Sequence, residues 1–269
     1  MSRFAPGNFC WADVSCVDQD RAIAFYRALF GWASVKGGPE VAGYALAHVG
    51  GDGPESVVAG LAPKMDEQPI AAWTVSLATA DAQATSELVT RHGGTVIVEP
   101  MLIPGGMGTF AVCADPTGGV FALWESGDMT GFGKFAEPGA FAWAEAYSTD
   151  AAVARDFYAT VFGLEVQVLS ETADFTYFQL TVPGQSDPAF GVMQMGSMFP
   201  EGTPSSWGAY VLVEDTDAAV AKAVELGGAL VMGPHDSPFG RMATITDSEG
   251  AYLKLVDPNK TAPLAGAHG

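Results

Sequence analysis

DQDRAIAFYRALFG, residues 18–31, returns as DAAVARDFYATVFG, residues 150–163. Each copy opens on an Asp suited to accept the first amide hydrogen bonds of a helix, carries a Phe-Tyr pair, and closes on Phe-Gly. Gly31 and Gly163 stand where a left-handed cap ends such a helix. Working outward, Gly7, Phe9, Trp11 and Ala12 recur as Gly139, Phe141, Trp143 and Ala144, an offset of 132 (139 − 7). The chain is a tandem duplication, and a repeat decides the domain count before any local reading.

Each half divides again. A strand pattern, an amphipathic helix and further strands begin near Gly7, Ala71, Gly139 and Ser205. In the first module Ile23, Tyr26, Leu29 and Phe30 form the apolar stripe, and in the third Val153, Phe157 and Val161 do so. In the even modules Asp81 precedes Ala84, Leu88 and Val89 before Gly93-Gly94, and Asp215 precedes Val220, Val224 and Leu226 before Gly227-Gly228. Later strands are read at 96–99, 109–113, 120–125, 242–246 and 251–256. Asp115-Pro116-Thr117-Gly118 and Asp247-Ser248-Glu249-Gly250 are tight turns between strands, and Gly105-Gly106-Met107-Gly108 is a hairpin or pocket loop. The class is α+β, with four βαβββ modules. One helix per module covers one sheet face and leaves a concave second face to be filled. The expected domains are 1–127 (modules 7–62 and 70–126) and 139–260 (modules 139–197 and 205–257). A Gly-rich linker, 128–138, joins them, and 261–269 reads as a loose tail.

The formal charge of −19 and the scatter of the 12 Lys and Arg leave no basic patch for nucleic acid or an anionic membrane. No apolar run approaches the roughly 20 residues that span a bilayer, and the start, Met1-Ser2-Arg3-Phe4, has no signal-peptide pattern. Cys10, Cys16 and Cys113 form no paired motif, which suits a reducing cytoplasm. Neither a nucleophile elbow, a phosphate loop nor a dinucleotide fingerprint occurs.

Three features together carry a resemblance: the duplicated Asp-(x)6-Phe-Tyr-(x)3-Phe-Gly, the Gly-Gly after each even helix, and Asp-Pro-Thr-Gly before a last strand. The chain resembles the vicinal oxygen chelate superfamily, which includes glyoxalase I, extradiol dioxygenases and bleomycin-resistance proteins, and within it the two-domain glyoxalase-like type. The resemblance implies two glyoxalase-like domains with cup-shaped mixed sheets. It also implies metal ligands on the first strand of a module, seven residues before the helix-opening Asp, and on the last strand, four after the turn Gly. Those positions hold Trp11, Thr74, Trp143 and Gly208 on the first strands, and Ala122 and Lys254 on the last strands of the even modules. None is His, Glu or Gln, so no metal and no cofactor are expected. His48, His92, His235 and His268 fall on a strand, a helix end, a loop and the tail, without ligand spacing.

Strand alternation puts Phe9, Trp11 and Asp13 on one face, and Phe141, Trp143 and Glu145 on its copy. If the superfamily register holds, these faces look into the cups. Thr74 and Ser76, with Trp124, would complete one cup, and Gly208 and Tyr210, with Lys254, the other. Lys254 could pair with Glu145 or Asp13 or meet an anionic ligand. Rings beside a single acid suit a planar or cationic molecule. The expected ligand-binding residues are therefore Phe9, Trp11, Thr74, Ser76, Trp124, Phe141, Trp143, Tyr210 and Lys254, with Asp13 and Glu145 as candidate acid/base groups. Trp73 and Trp207 should face the helix layer, Arg241 should anchor a loop, and Met193, Met195 and Met198 should provide adaptable packing.

Three functional readings stand beside a solidly filled cavity. The first is metal-independent binding of a hydrophobic or aromatic small molecule for sequestration, resistance or natural-product handling, by a monomer or homodimer. The second is a lyase, isomerase or hydroxylase-associated enzyme working through the two carboxylates. The third is a metal-dependent glyoxalase or dioxygenase with displaced ligands.

Overall fold

The computed structural model describes residues 4–64, 71–172, 175–197 and 199–262. Met1 to Arg3, Met198, His268 and the rest of the tail from 263 lie outside them.

Four βαβββ modules follow in order. The first holds β1 (Phe9–Cys16), α1 (Gln19–Phe30), β2 (Ala33–Lys36), β3 (Ala45–His48) and β4 (Val57–Pro63). The second holds β5 (Ala72–Thr79), α2 (Ala82–Arg91), β6 (Thr95–Ile103), β7 (Gly108–Ala114) and β8 (Val120–Ser126). The third holds β9 (Phe141–Ser148), α3 (Ala151–Phe162), β10 (Glu165–Glu171), β11 (Thr176–Thr181) and β12 (Phe190–Gln194). The fourth holds β13 (Ser206–Leu212), α4 (Thr216–Glu225), β14 (Ala229–Ser237), β15 (Gly240–Thr246) and β16 (Tyr252–Asp257). Two eight-stranded mixed sheets result, ordered β2-β3-β4-β1-β5-β8-β7-β6 and β10-β11-β12-β9-β13-β16-β15-β14. Within each module the first and last strands are parallel, and the other neighbours are antiparallel.

All four helices start on an Asp side chain. Asp18 accepts from the amides of Asp20 and Arg21, Asp81 from Ala84, Asp150 from Val153 and Asp215 from Ala218, at 2.9 to 3.2 Å. Gly31 (φ 75°) and Gly163 (φ 66°) end α1 and α3 in the left-handed region. The buried helix faces keep Tyr26, Val89, Phe157, Val161 and Val220 of the expected stripes and differ elsewhere. Val153 is 41% exposed, Val224 is 50% exposed, and Ala84 is exposed. The faces that pack are Ala22, Phe25 and Tyr26; Ala82, Thr85, Ser86 and Val89; Ala151, Ala154, Phe157, Tyr158 and Val161; and Thr216, Val220 and Ala223. Small and hydroxylated residues such as Ala22, Thr85, Ala154 and Thr216 share these faces with the large ones because they let helix and sheet approach closely. The Thr85 hydroxyl, 2.7 Å from that of Thr79 on β5, is satisfied on the spot.

Further differences are local. His235 lies in β14, a sheet-edge strand whose alternation is broken by register shifts around Met232 and by Gly233 at φ 85°. The tail begins ordered, since Thr261 bridges to Ser237. In the linker, Phe132 is fully buried, its ring 5.7 Å from that of Phe141. Among the described residues no helix is long and apolar enough to cross a membrane.

By packing, the chain groups into two compact units. The first comprises Met1–Trp11, Thr74–Gly131 and Ala144–Gly208; the second comprises Ala12–Trp73, Phe132–Trp143 and Ala209–Gly269. In the first unit α2 packs on α3. There the Tyr158 hydroxyl donates to Asp115 (2.7 Å) and accepts from the Trp207 indole (3.0 Å). In the second unit α1 packs on α4. There Tyr26 donates to Asp247 (2.7 Å) and accepts from Trp73 (3.0 Å). Trp73 and Trp207 thus face the helix layers. The Phe-Tyr motif and the turn Asp are two ends of one buried hydrogen bond, made crosswise between the halves of the sequence. Burial, and then the neighbouring carboxylate, hold both phenols well above the usual tyrosine range.

Candidate functional site

Opposite the helix layer, the second module presents Thr74 and Ser76 on β5 beside Ala122 and Trp124 on β8, with Ser76 paired to Ala122 in register. Phe121, one residue off that parity, packs edge-on to Tyr158 at 5.4 Å in the helix layer. Trp124 is a fixed wall. It is buried, its indole donates to the Met129 carbonyl (3.0 Å), and its ring crosses Gly108, where a Cβ would come within 2.7 Å. The Ser76 hydroxyl is buried and has no hydrogen-bond partner among the described residues.

The third module, in the same unit, builds the most developed site. Glu145 on β9 stands opposite Gly191 on β12 and is buried. One carboxylate oxygen accepts from the Tyr147 hydroxyl, the other from Tyr177 at 2.9 Å. A Cβ at Gly191 would collide with the Tyr177 hydroxyl, so the glycine is what lets that phenol lie across the strand to reach Glu145. Tyr147, Tyr177 and Met193 form a buried cluster, against which the half-buried Phe175, Met195 and Phe199 pack. Phe175 stacks on Tyr177 at 5.8 Å, and Phe199 lies 5.3 Å from Tyr147. Gly191→Ala should push Tyr177 off the carboxylate and lower stability by about 1–3 kcal/mol, read as a shift of the urea midpoint. Gly196→Ala, where an added methyl meets nothing, should leave it unchanged.

In the second unit, Asp13 on β1 stands opposite Gly60 on β4, and the Tyr44 hydroxyl lies over that glycine, where a Cβ would strike it. No hydrogen bond or ion pair reaches Asp13 among the described residues. Burial pushes its carboxyl up to about 7. On the fourth module, Lys254 pairs in register with Tyr210. Its ammonium lies 5.3 Å from that ring's centre and donates to the Thr244 hydroxyl at 3.3 Å. Arg241 is an anchor, bidentate to Asp217 at the start of α4 (2.6 and 2.9 Å) and bonded to Asp236 at 2.7 Å.

The remaining expected residues are placed as follows. Phe9 and Trp11 are buried, and Trp143 is half-buried. Phe141 is fully buried in the aromatic core of the second unit, 5.2 Å from Trp73 and 6.2 Å from Trp32. His48 bonds to Ser56 at 3.0 Å. The three thiols are buried and free, and burial lifts Cys113 to about 11, Cys16 to about 12 and Cys10 further. None is a nucleophile near neutrality.

Tyr44, Tyr147, Tyr177 and the two glycines were missed from sequence. Tyr147 shares strand parity with Glu145, and a lone glycine inside a strand marks a close approach; both signals were legible.

A family model for the glyoxalase/bleomycin resistance protein/dioxygenase superfamily matches residues 10–123 and again 140–255. The chain belongs to this superfamily. It is 35% identical over 283 residues to the anthracycline biosynthesis protein DauV of Streptomyces sp. strain C5, covering 98% of each chain. It is 31% identical over 264 residues to the putative glyoxylase CFP32 of Mycobacterium tuberculosis, covering 96% of this chain and 97% of that one. Among solved structures, the Mn(II)-bound glyoxalase of Novosphingobium aromaticivorans superposes with a TM-score of 0.64 at 17% identity, over 98% of this chain and 87% of that chain. The 2,3-dioxygenase LapB of Pseudomonas sp. KL28 does so with a TM-score of 0.64 at 13% identity, over 97% of this chain and 98% of that chain. At such identities the likeness is one of fold.

The donor set does not fit the superfamily's metal. At the positions where the resemblance implies ligands stand two indoles, a threonine, a glycine, an alanine and a lysine, whereas a catalytic divalent ion takes about three N, O or S ligands from the protein. Of the two candidate carboxylates, one in each unit, Glu145 is already engaged by two phenols. Among the described residues, no three His, Cys, Asp or Glu side chains converge.

Proposed function

We propose that this superfamily member binds a planar, hydroxylated aromatic small molecule without a metal, in natural-product biosynthesis or handling. One observation carries the reading: a buried carboxylate held by two phenols sits within a cluster of tyrosine, phenylalanine and methionine side chains. Rings supply stacking, thioethers adapt to varied outlines, and Glu145 with its tyrosines offers both hydrogen-bond acceptors and donors to a ligand hydroxyl. The relatedness to anthracycline biosynthesis proteins supports a polycyclic aromatic ligand. Ser76, Thr74 and Trp124 in the first unit, and Tyr210 and Lys254 in the second, are the further residues we assign to binding, along with Trp11 and Trp143. We draw the domains at 1–127 and 139–260, one for each sheet. We place the protein in the cytoplasm, where its buried thiols stay reduced, as a monomer or homodimer.

Titration with 1,8-dihydroxyanthraquinone, followed by tryptophan fluorescence, should give saturable quenching that EDTA leaves unchanged and that Glu145→Gln weakens about tenfold. Absence of quenching across anthraquinones, naphthoquinones and flavonoids would overturn the reading. Stoichiometric Mn, Fe, Ni or Zn in the purified protein would overturn its metal-free part.

A second reading rests on Asp13, whose carboxyl near 7 suits a general acid or base at cellular pH. It requires chelator-resistant turnover that Asp13→Asn abolishes.

A further inference from the structure

We infer that the two copies of the carboxylate site select different ligands: the Asp13 copy takes a protonated amine carried on an aromatic body, and the Glu145 copy takes a neutral phenol. The inference rests on the small-molecule reading above and adds the chemistry of what each copy recognises.

The copies share one framework. Asp13 pairs with Gly60 and Glu145 with Gly191, and in each the missing side chain of the glycine leaves room for a tyrosine hydroxyl, Tyr44 or Tyr177, beside the acid. A Cβ at either glycine would also crowd the acid's own Cβ, at 2.9 Å for Asp13 and 3.3 Å for Glu145. Glycine is thus required twice, at the same register position, to hold acid and phenol side by side.

They differ in what satisfies the acid. In the second copy the longer side chain brings each oxygen to a phenol, so the site is closed to a competing charge and already neutral-donor in character. In the first copy the acid is one methylene shorter, and Ser15 stands where the copy has Tyr147. The Ser15 hydroxyl turns to backbone instead, donating to the Ala72 carbonyl at 3.3 Å. No lysine, arginine or histidine among the described residues pairs with Asp13. Its partial burial therefore penalises the carboxylate with no compensating partner. A ligand ammonium removes that penalty by supplying both charge and N–H donors, and an adjacent ring adds cation–π attraction. An anionic ligand is repelled. A hydroxyl gives only a neutral hydrogen bond. The flanking residues on this face, Leu46 opposite Gly60 and Tyr44 over it, suit an apolar body attached to the amine.

The test compares two probes with one ring system, a hydroxyanthraquinone bearing an aminoethyl arm and its hydroxyethyl counterpart, titrated at pH 8 by tryptophan fluorescence. The native protein should favour the aminoethyl probe by about tenfold or more. Asp13→Asn should abolish that preference by weakening the aminoethyl probe more than the hydroxyethyl probe, and an unchanged circular dichroism spectrum reports that the variant is folded. Glu145→Gln should keep the preference. Binding of both probes without preference, or a preference that survives Asp13→Asn, overturns this inference and leaves the small-molecule reading standing. Binding of neither probe overturns both.

Discussion

Replacing Asp115 by alanine should lower the thermal midpoint by on the order of 10 °C, equivalent to about 3–4 kcal/mol. The Asp115 carboxylate accepts from the Thr117 amide and hydroxyl, both at 2.7 Å, from the Gly119 amide at 3.1 Å and from Tyr158 at 2.7 Å, and it is buried. Its removal orphans two amides and the phenol, each costing about 1–3 kcal/mol when buried without a partner. Some of that returns as water enters the turn. Asp247→Ala should act alike through Glu249, Ala251 and Tyr26. Tyr158→Phe removes one donor and should cost only about 1–2 kcal/mol. Calorimetry on the three variants checks this ordering; a tyrosine variant as damaging as Asp115→Ala would show that the turn itself contributes little.

Asp13→Asn should stabilise the protein at pH 8 by about 2–4 kcal/mol and leave it nearly unchanged at pH 4. Burial raises the folded-state carboxyl of Asp13 from 3.8 to about 7. A group raised in this way keeps its proton in the folded chain after the unfolded chain has released it. Its contribution is intact below about pH 4 and is lost as pH climbs through 7, where ionisation must occur inside the fold. Asparagine has the same shape and never ionises. Urea unfolding of the native and variant proteins between pH 4.5 and 8.5 should give curves that diverge with rising pH. Parallel curves would mean that Asp13 ionises freely. The same substitution thus strengthens the fold and removes the proposed amine preference, a pairing expected of a functional group held against its own solvation.

Much of this architecture was legible because it obeys local rules twice. Four helix-opening aspartates, two capping glycines and the Asp-x-x-Gly turns each act within a few residues, so their spacing reports their geometry directly. The buried helix faces were misread where valine hydrophobicity was favoured over alanine and threonine size, since close packing on a sheet rewards small side chains. β14 was missed because an edge strand with irregular pairing need not alternate. In the candidate site, strand parity places Asp13 and Glu145 on their faces, whereas Tyr177 reaches Glu145 from β11 and Tyr44 lies beside Asp13 from the segment before β3. Their spacing, 133 (177 − 44), departs from the repeat offset of 132, as loops of unequal length intervene. Phe141 shows the limit of parity: alternation assigned it a face, and packing with Trp32, Trp73 and Phe132 put it in the core.

The crossed tyrosine–aspartate bonds tie the two halves of the sequence to each other. Each half of the sequence owns one phenol and one turn carboxylate, and each phenol donates to the carboxylate of the opposite half. A polypeptide carrying one half alone would leave its phenol and its turn carboxylate without that bond, and the other half supplies it. Severing the chain in the 128–138 segment should therefore yield two fragments that reassemble when co-expressed and fail to accumulate singly.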